Sequence, residues 1–332
     1  ALVAQADTGA IQTYELGDWP APFGIVLVLD RLSAMMVLIA SLLALAVMSY
    51  AVVTGIDRKG WHFHPLFQFQ LLGLNGAFLT GDVFNLFVFF EVLLIASYGL
   101  MLHGGGAARL KAGVQYVVIN LVGSTLFLVA VGLLYGATGT LNMAHMGQRV
   151  AEAPPGDHGL ILAGGLLLIA VFGLKAALVP LHFWLPRTYA STTAPVAALF
   201  AVMTKVGAYC ILRFTTLTFG EAAGELAWAP SPWLLPAALA TLAIGYLGVL
   251  AARQLRDLAA FSVIGSMGTL LCAIAVFSPQ ATAAALYYLP HSTFATAALF
   301  LIVDIIAARR GDYGDTLAPS PPFVQAGVRS AR

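Results

Sequence analysis

Four ionisable side chains sit inside stretches that are otherwise almost wholly apolar. Glu91 lies near the middle of NLFVFFEVLLIASYGL, Lys175 in LLLIAVFGLKAALVP, Lys205 in ALFAVMTKVGAYCILRF and His291 in AALYYLPHSTFATAALF. In hydrocarbon such a group costs about 2.5–3.5 kcal/mol or more unless it is paired or hydrated. A carboxylate and an amine placed there each carry a charge that depends on the other, which is the chemistry of a proton site. The structural alternative is an ion pair that fixes helix register. A buried pair often only breaks even against apolar packing, so stability alone is a weak reason to keep one. Lys175 and Lys205, if near each other, would repel and compete for protons. A row of groups with interdependent charge is what stepwise proton movement requires.

The backbone around these residues points the same way. Pro180 and Pro186 follow Lys175 in VPLHFWLPRTYASTTAP, so its helix is expected to break or end there. Broken helices at membrane depth are tolerated where they are buried in protein or line a wet cavity. His182 falls in this break, equally a relay or an interface residue. Pro290 precedes His291 and frees a carbonyl one turn back; Ser292 and Thr293 are at hand to satisfy the imidazole. Tyr116, Asn120 and Ser124 recur at i, i+4, i+8 on one helix face, a stripe that interhelical hydrogen bonding explains adequately. Asp82, Arg213 and Asp304 lie nearer span ends, where capping or snorkelling accounts for them. Cys210 and Cys272 read as small buried hydrophobes without CxxC spacing. Nothing resembles a nucleotide-binding glycine loop, zinc-ligand spacing or a nucleophile elbow, so no cofactor and no metal is expected.

The elements that hold these residues must be membrane helices. Apolar residues make up 60% of the chain and charged ones 9%, and the mean hydropathy is +0.89. A soluble domain carries about 25% charged residues, so the solvent around most of this chain is lipid. The formal charge of +1 gives no basis for nucleic-acid binding. The fold class expected is all-α, a polytopic transmembrane bundle. About nine spans fall near 25–54, 63–80, 83–102, 111–136, 159–179, 193–217, 232–252, 258–278 and 282–307.

The connections test that count. Alternate ones carry Arg58 and Lys59, Arg109 and Lys111, Arg187, Arg253 and Arg256, then Arg309 and Arg310. The opposite ones carry Arg149 as their single basic residue, beside Glu152, Asp157, Glu221 and Glu225. The positive-inside rule then places the N-terminus outside and Arg309 in the cytoplasm. Residues 1–24 form an extracytoplasmic segment without a cleavable signal pattern, 25–310 the transmembrane domain and 311–332 a polar tail.

Three stretches resemble a known family: GDVFNLFVFFEVLLIASYGLML, KAALVPLHFWLPRTYASTTAPVAALFAVMTKVGAYCILRF and YYLPHSTFATAALFLIVDIIA. They are similar to the D-type subunits of Mrp-type multisubunit cation/proton antiporters and, more distantly, to the antiporter-like proton-pumping subunits of complex I and membrane-bound hydrogenases. The resemblance implies about fourteen helices with two inverted five-helix repeats, each containing one broken helix. Residues 62–217 would supply the first repeat, and those from about 232 to 310 would begin the second. The family's glutamate falls on Glu91, its broken-helix lysine on Lys175, its relay lysine on Lys205 and the histidine joining the repeats on His291. Against that pattern the chain lacks helices at both ends and is expected to be a fragment retaining the first half-channel.

The function this implies is a proton-translocating subunit of a monovalent cation/proton antiporter, not an enzyme, in the bacterial plasma membrane. Its expected partners are other membrane subunits, the lipid bilayer, H+, and Na+ or K+. Glu91 would accept the proton, paired with Lys175, while Lys205 and His291 pass charge laterally, with His182 a further candidate. The alternatives are a proton-pumping subunit of a redox complex, sharing the same channel chemistry, and a non-conducting scaffold.

Overall fold

The computed structural model describes residues 1–310, so the polar tail expected at 311–332 lies outside the described residues. A short helix α1 (Leu2–Ala6) and an antiparallel hairpin of β1 (Gln12–Glu15) and β2 (Val26–Leu29) precede the bundle. In register, Gln12 faces Leu29 and Glu15 faces Val26. The bundle follows as α2 (Arg31–Val53), α3 (Phe63–Leu79), α4 (Val83–Met101), α5 (Ala107–Thr138), α6 (Met143–Ala151), α7 (His158–Lys175), α8 (Leu185–Ser191), α9 (Ala194–Thr218), α10 (Ser231–Ala251), α11 (Leu255–Ala275) and α12 (Pro279–Arg310). Among the described residues, eight helices are long and apolar enough to cross a membrane. The 17-residue α3 makes the ninth span expected from sequence, at the short end of the range of about 17–25 residues that crosses hydrocarbon. The protein is a multi-pass, all-α membrane bundle.

One expectation needs correcting. The first span does not run from residue 25: Val26–Leu29 is a strand, and the helix starts at Arg31. Asp30 closes a capping box, its carboxylate accepting from the Ser33 amide while the Ser33 hydroxyl accepts from the Asp30 amide. The apolar VLVL run fits strand or helix alike, and the cap decides. The strand is then held to the bundle by the Gly81 amide, which donates to the Val26 carbonyl at 2.8 Å.

The two ends of the bundle differ as the alternating loops require. At the basic end, the buried His103 ring contacts the Ile56 carbonyl at 2.7 Å. Arg109 donates to the His103 carbonyl at 2.6 Å and the Ser191 carbonyl at 2.9 Å, and Arg256 reaches the Thr192 carbonyl at 3.3 Å. Connections α2–α3, α4–α5, α8–α9 and α10–α11 therefore meet at one end. At the other, the Val83 amide donates to Leu141 and the Met143 amide to Gly81, both at 2.8 Å. Helix α6 lies there with Met143, Met146 and Val150 buried on one face and polar residues on the other, the pattern of an amphipathic segment.

Helix α9 is the axis of the fold. The whole of its 18-residue apolar window is buried within the protein, and it packs against α2, α6, α7, α11 and α12. A membrane helix that carries Lys205 and Arg213 has to turn those charges away from lipid and into protein. Its one guanidinium, Arg213, is bonded to Asp30 at both oxygens, with Nη2–Oδ1 at 2.9 Å, and its Nε donates to Tyr209 Oη at 3.1 Å. Similarly, Asp304 on α12 joins Arg256 of α11 at 3.2 Å and accepts from Tyr50 Oη of α2 at 3.0 Å. Neither Arg213 nor Asp304 is a snorkelling side chain; each is half of an ion pair between helices. Asp82 does cap, accepting from the Asn85 amide at 2.7 Å at the start of α4.

Burial pushes the Asp30 carboxyl up, and the Arg213 and Ser33 contacts more than reverse this, holding it below its ordinary value of 3.8. The pair therefore stabilises fully above that ordinary value and is lost only as pH falls through the depressed one. Asp30→Asn should cost about 2–4 kcal/mol, less than for a wholly buried pair because some water reaches both groups. Thermal unfolding in detergent at several pH values tests this: the deficit should be flat from about pH 5 to 8 and shrink only in strong acid.

Candidate proton site

Lys175 is the last residue of α7, where the negative end of the helix dipole favours a cation. The backbone turns sharply just beyond: Ala177 adopts φ +55°, and the Leu178 amide bonds back to the Gly173 carbonyl at 2.8 Å. Such a left-handed alanine costs about 1–2 kcal/mol and persists only where its surroundings enforce it. The enforcing contacts are visible. Trp184 Nε1 donates to the Leu174 carbonyl at 3.1 Å, and the Val179 amide donates to Thr241 Oγ1 of α10 at 2.9 Å. Gly207 of α9 lies so close that a Cβ there would stand 2.6 Å from both the Ala176 nitrogen and the Phe172 oxygen. The expected break is thus the nine-residue interval between the last residue of α7 and the first of α8.

The amine of Lys175, 9% exposed, donates to Asn120 Oδ1 on α5 at 2.8 Å. It also stands 5.9 Å above the Phe90 ring. Glu91, half-buried on α4, accepts from Ser124 Oγ, one turn along α5 from Asn120. Four residues advance a helix by about 6 Å, so the α5 stripe sets the spacing of the two charges. They lie within electrostatic reach of each other, yet among the described residues they form no direct ion pair. In place of the direct pair expected from sequence, each charge has its own neutral partner on α5, the Ser124 hydroxyl for Glu91 and the Asn120 amide for Lys175. The stripe makes the interhelical bonds it was expected to make, and its third member, Tyr116, joins Ser97 Oγ of α4 at 2.9 Å. Beside Lys175 lies a cavity of about 20 Å³ lined by Phe90, Tyr116, Asn120, Lys175, Trp184 and Met203, among others. That is room for about one water molecule, with polar partners to hold it.

Lys205 is fully buried at the centre of α9. Its amine faces α11, 3.1 Å from Met267 Sδ and 3.5 Å from Ser266 Oγ. Ser266 Oγ in turn accepts from Tyr288 Oη of α12 at 3.2 Å. Tyr288 lies one turn before His291, with ring centroids 6.3 Å apart. The two lysines thus face different partners. His291 is exposed on the outer side of α12. Ser292 and Thr293 do not serve it, because their hydroxyls bond back to the Leu289 carbonyl at 3.1 and 2.7 Å. His182 sits half-buried in the break, and its Nδ1 has no hydrogen-bond partner among the described residues. Ser266 and Tyr288 were not singled out from sequence: a serine among glycines in VIGSMG and a tyrosine beside a proline carry no signal by themselves.

No group of three or more His, Cys, Asp or Glu residues among those described is placed to hold a metal ion. The structure is thus a multi-pass membrane bundle with an interrupted helix, an amine at the interruption and, on α4, a carboxylate bonded to α5 one turn from the amine's own partner. The chain belongs to the NADH:quinone oxidoreductase/Mrp antiporter transmembrane family, whose model matches residues 80–318. It is 49% identical over 319 residues to the D-type subunit of a probable K+/H+ antiporter of Rhizobium meliloti, covering 95% of this chain and 59% of that protein. To the D-type subunit of a Na+/H+ antiporter of Bacillus subtilis it is 41% identical over 93% of this chain and 62% of that one. The chain therefore spans about three-fifths of the length of these curated relatives. In structure it resembles a chain of the Mrp complex from Dietzia, with TM-score 0.82, 33% identity and coverage of 91% of this chain and 56% of that one. A chain of an archaeal membrane-bound sulfane sulfur reductase gives TM-score 0.83 at 28% identity, over 92% of this chain and 62% of that one.

Asn120→Ala should strand the Lys175 amine without its acceptor and destabilise the fold by about 2–3 kcal/mol, the range for a lost bond to a buried charge. Gly207→Ala should lower the unfolding midpoint too, because backbone atoms face the added methyl. Thermal unfolding of both variants in detergent gives the measurement; no change in the first would remove the Asn120–Lys175 bond from the account.

Proposed function

We propose that the chain is the proton-translocating part of one subunit in a multisubunit monovalent cation/proton antiporter, working in a bacterial plasma membrane with its basic loops in the cytoplasm. The observation that carries this reading is the placement of Glu91 and Lys175 on neutral partners one turn apart on α5, with a water-sized cavity beside Lys175 at the helix break. Glu91 takes up the proton. Its neutralisation removes the charge that favours the ammonium at Lys175, so the lysine releases its proton more readily. Lys205, Ser266 and Tyr288 carry the change of charge across α9, α11 and α12 to His291, with His182 as the alternative outlet through the break. Each charge moved across the membrane gains about 2.3 kcal/mol per 100 mV, which matches the roughly 1.5–3 kcal/mol of a hydrogen bond to a charged group, so the gradient is of the size needed to exchange these contacts. The antiporter names of the two bacterial relatives support the assignment. Transport rather than chemical catalysis follows from it, with H+ and Na+ or K+ as the ions and other membrane subunits as partners.

A second reading has its own support in the sulfane sulfur reductase likeness: the same residues would then move protons under the drive of electron transfer. Affinity purification discriminates the two, since a redox complex brings iron–sulfur subunits with it and an antiporter brings small apolar ones.

The direct test expresses the protein with its neighbouring subunits in an antiporter-deficient host and follows cation-induced proton efflux in everted vesicles. Glu91→Gln and Lys175→Ala should each abolish exchange, a loss of at least about 10²-fold as for other essential proton carriers. Ser266→Ala and Tyr288→Phe should slow it while leaving Glu91 in place. Unchanged exchange in Glu91→Gln at normal membrane abundance would falsify the assignment of the site.

A further inference from the structure

At the basic end of the bundle, away from the proton site, a cleft of about 170 Å³ lies between the start of α5, α8 and the start of α11. Three guanidinium groups line it, Arg109, Arg187 and Arg256, against one carboxylate, Asp257. They are not equivalent. Arg109 is buried, and its Nε and Nη1 donate to the carbonyls of Ser191, His103 and Gly105, which leaves Nη2 for a further acceptor; among the described residues no carboxylate neutralises it. Arg256 is already matched by Asp304. Arg187 is exposed and makes no hydrogen bond or ion pair within the described residues.

Two helix N-termini open onto the same cleft. Helix α5 begins after Gly106 and α11 after Gln254, and neither first turn has a side-chain cap. Each such end presents unpaired amides and the positive pole of its dipole. An uncapped end alone is commonplace. Here two converge with a guanidinium fixed by carbonyls and another left free, a combination suited to bidentate capture of a phosphate.

We infer that this cleft binds a phosphate-bearing anion, held by Arg187 and Arg109 between the starts of α5 and α11. Basic pockets between membrane helices at this kind of boundary suit the headgroups of anionic phospholipids, and a free phosphate would satisfy the same donors. The inference does not depend on the transport reading, because none of its residues belongs to the proton site.

The test uses the full chain purified in detergent and native mass spectrometry with three probes: cardiolipin, phosphatidylcholine and inorganic phosphate. Wild-type protein should retain cardiolipin over phosphatidylcholine. Arg187→Gln should weaken that retention about fivefold, the effect of removing one cation near an anionic headgroup, and Arg187→Lys should restore most of it. Ala108→Glu, which places a carboxylate on the exposed first turn of α5 in the cleft lining, should abolish retention without disturbing the fold. Cardiolipin held in the presence of millimolar phosphate identifies a lipid site; displacement of cardiolipin by phosphate, with phosphate itself retained, identifies a free-anion site. Retention of cardiolipin and phosphate by Arg187→Gln and Ala108→Glu at wild-type levels, or by none of the proteins, overturns the inference.

Discussion

An ammonium group in an apolar interior must find acceptors, and the core of this protein is arranged around that requirement at Lys175. The helix stops there, so the amine stands at the negative pole of α7 rather than along its flank. Stopping a helix inside a membrane creates a new difficulty, since its last carbonyls and the next amides lose their partners. Trp184, just before α8, and Thr241 of α10 supply some of them, and Gly207 lets α9 press against the turn. Residues of α9, α10 and the break itself thus help to keep one lysine in place.

The buried charges fall into two kinds. Arg213 with Asp30 and Arg256 with Asp304 are direct ion pairs toward the ends of the bundle, tying α9 to the start of α2 and α11 to α12. In a direct pair, loss of charge on one partner strands the other, so the pair resists titration. Glu91, Lys175 and Lys205 are partnered by Ser124, Asn120 and Ser266 instead. A hydroxyl can donate or accept, and an amide offers both kinds of atom, so these partners can serve a group with its proton or without it. On the proposed mechanism, such neutral partners are what a moving proton requires.

Much of this was legible in the sequence, because lipid imposes a strict grammar. Nine apolar runs and alternating basic loops gave the helices, and Lys175 before two prolines marked the break. Failures came where one string of residues suits two structures. VLVL reads as helix or strand, and only the Asp30–Ser33 cap separates them. Asn120 and Ser124 looked like ordinary interhelical bonding, and they are; which residues lie opposite is a property of how α4 and α7 pack on α5, and no spacing within α5 encodes it. Arg213 and Asp304 fall near span ends in the sequence, and their partners, Asp30 and Arg256, are 183 and 48 positions away, beyond the reach of local spacing.

The enclosure of α9 constrains how charge can cross the proposed path. Lys205 touches neither lipid nor bulk water, so its proton must come and go through side chains or trapped water. The polar contacts it has all lead one way, to Ser266 of α11 and on to Tyr288 of α12. A step of 3.5 Å followed by one of 3.2 Å is long for direct transfer, about half an ångström beyond a good hydroxyl bond, so each step needs rotamer motion or a water. The glycines on either side of Ser266 bear on this. A Cβ at Gly268 would stand 2.2 Å from the Leu242 nitrogen, and one at Gly265 within 3.2 Å of the Tyr246 ring. That closeness of α10 and α11 leaves the Ser266 segment little room to shift as a body, so on the proposed path the rotamer motion falls to the side chains of Lys205 and Tyr288 rather than to the helices that carry them.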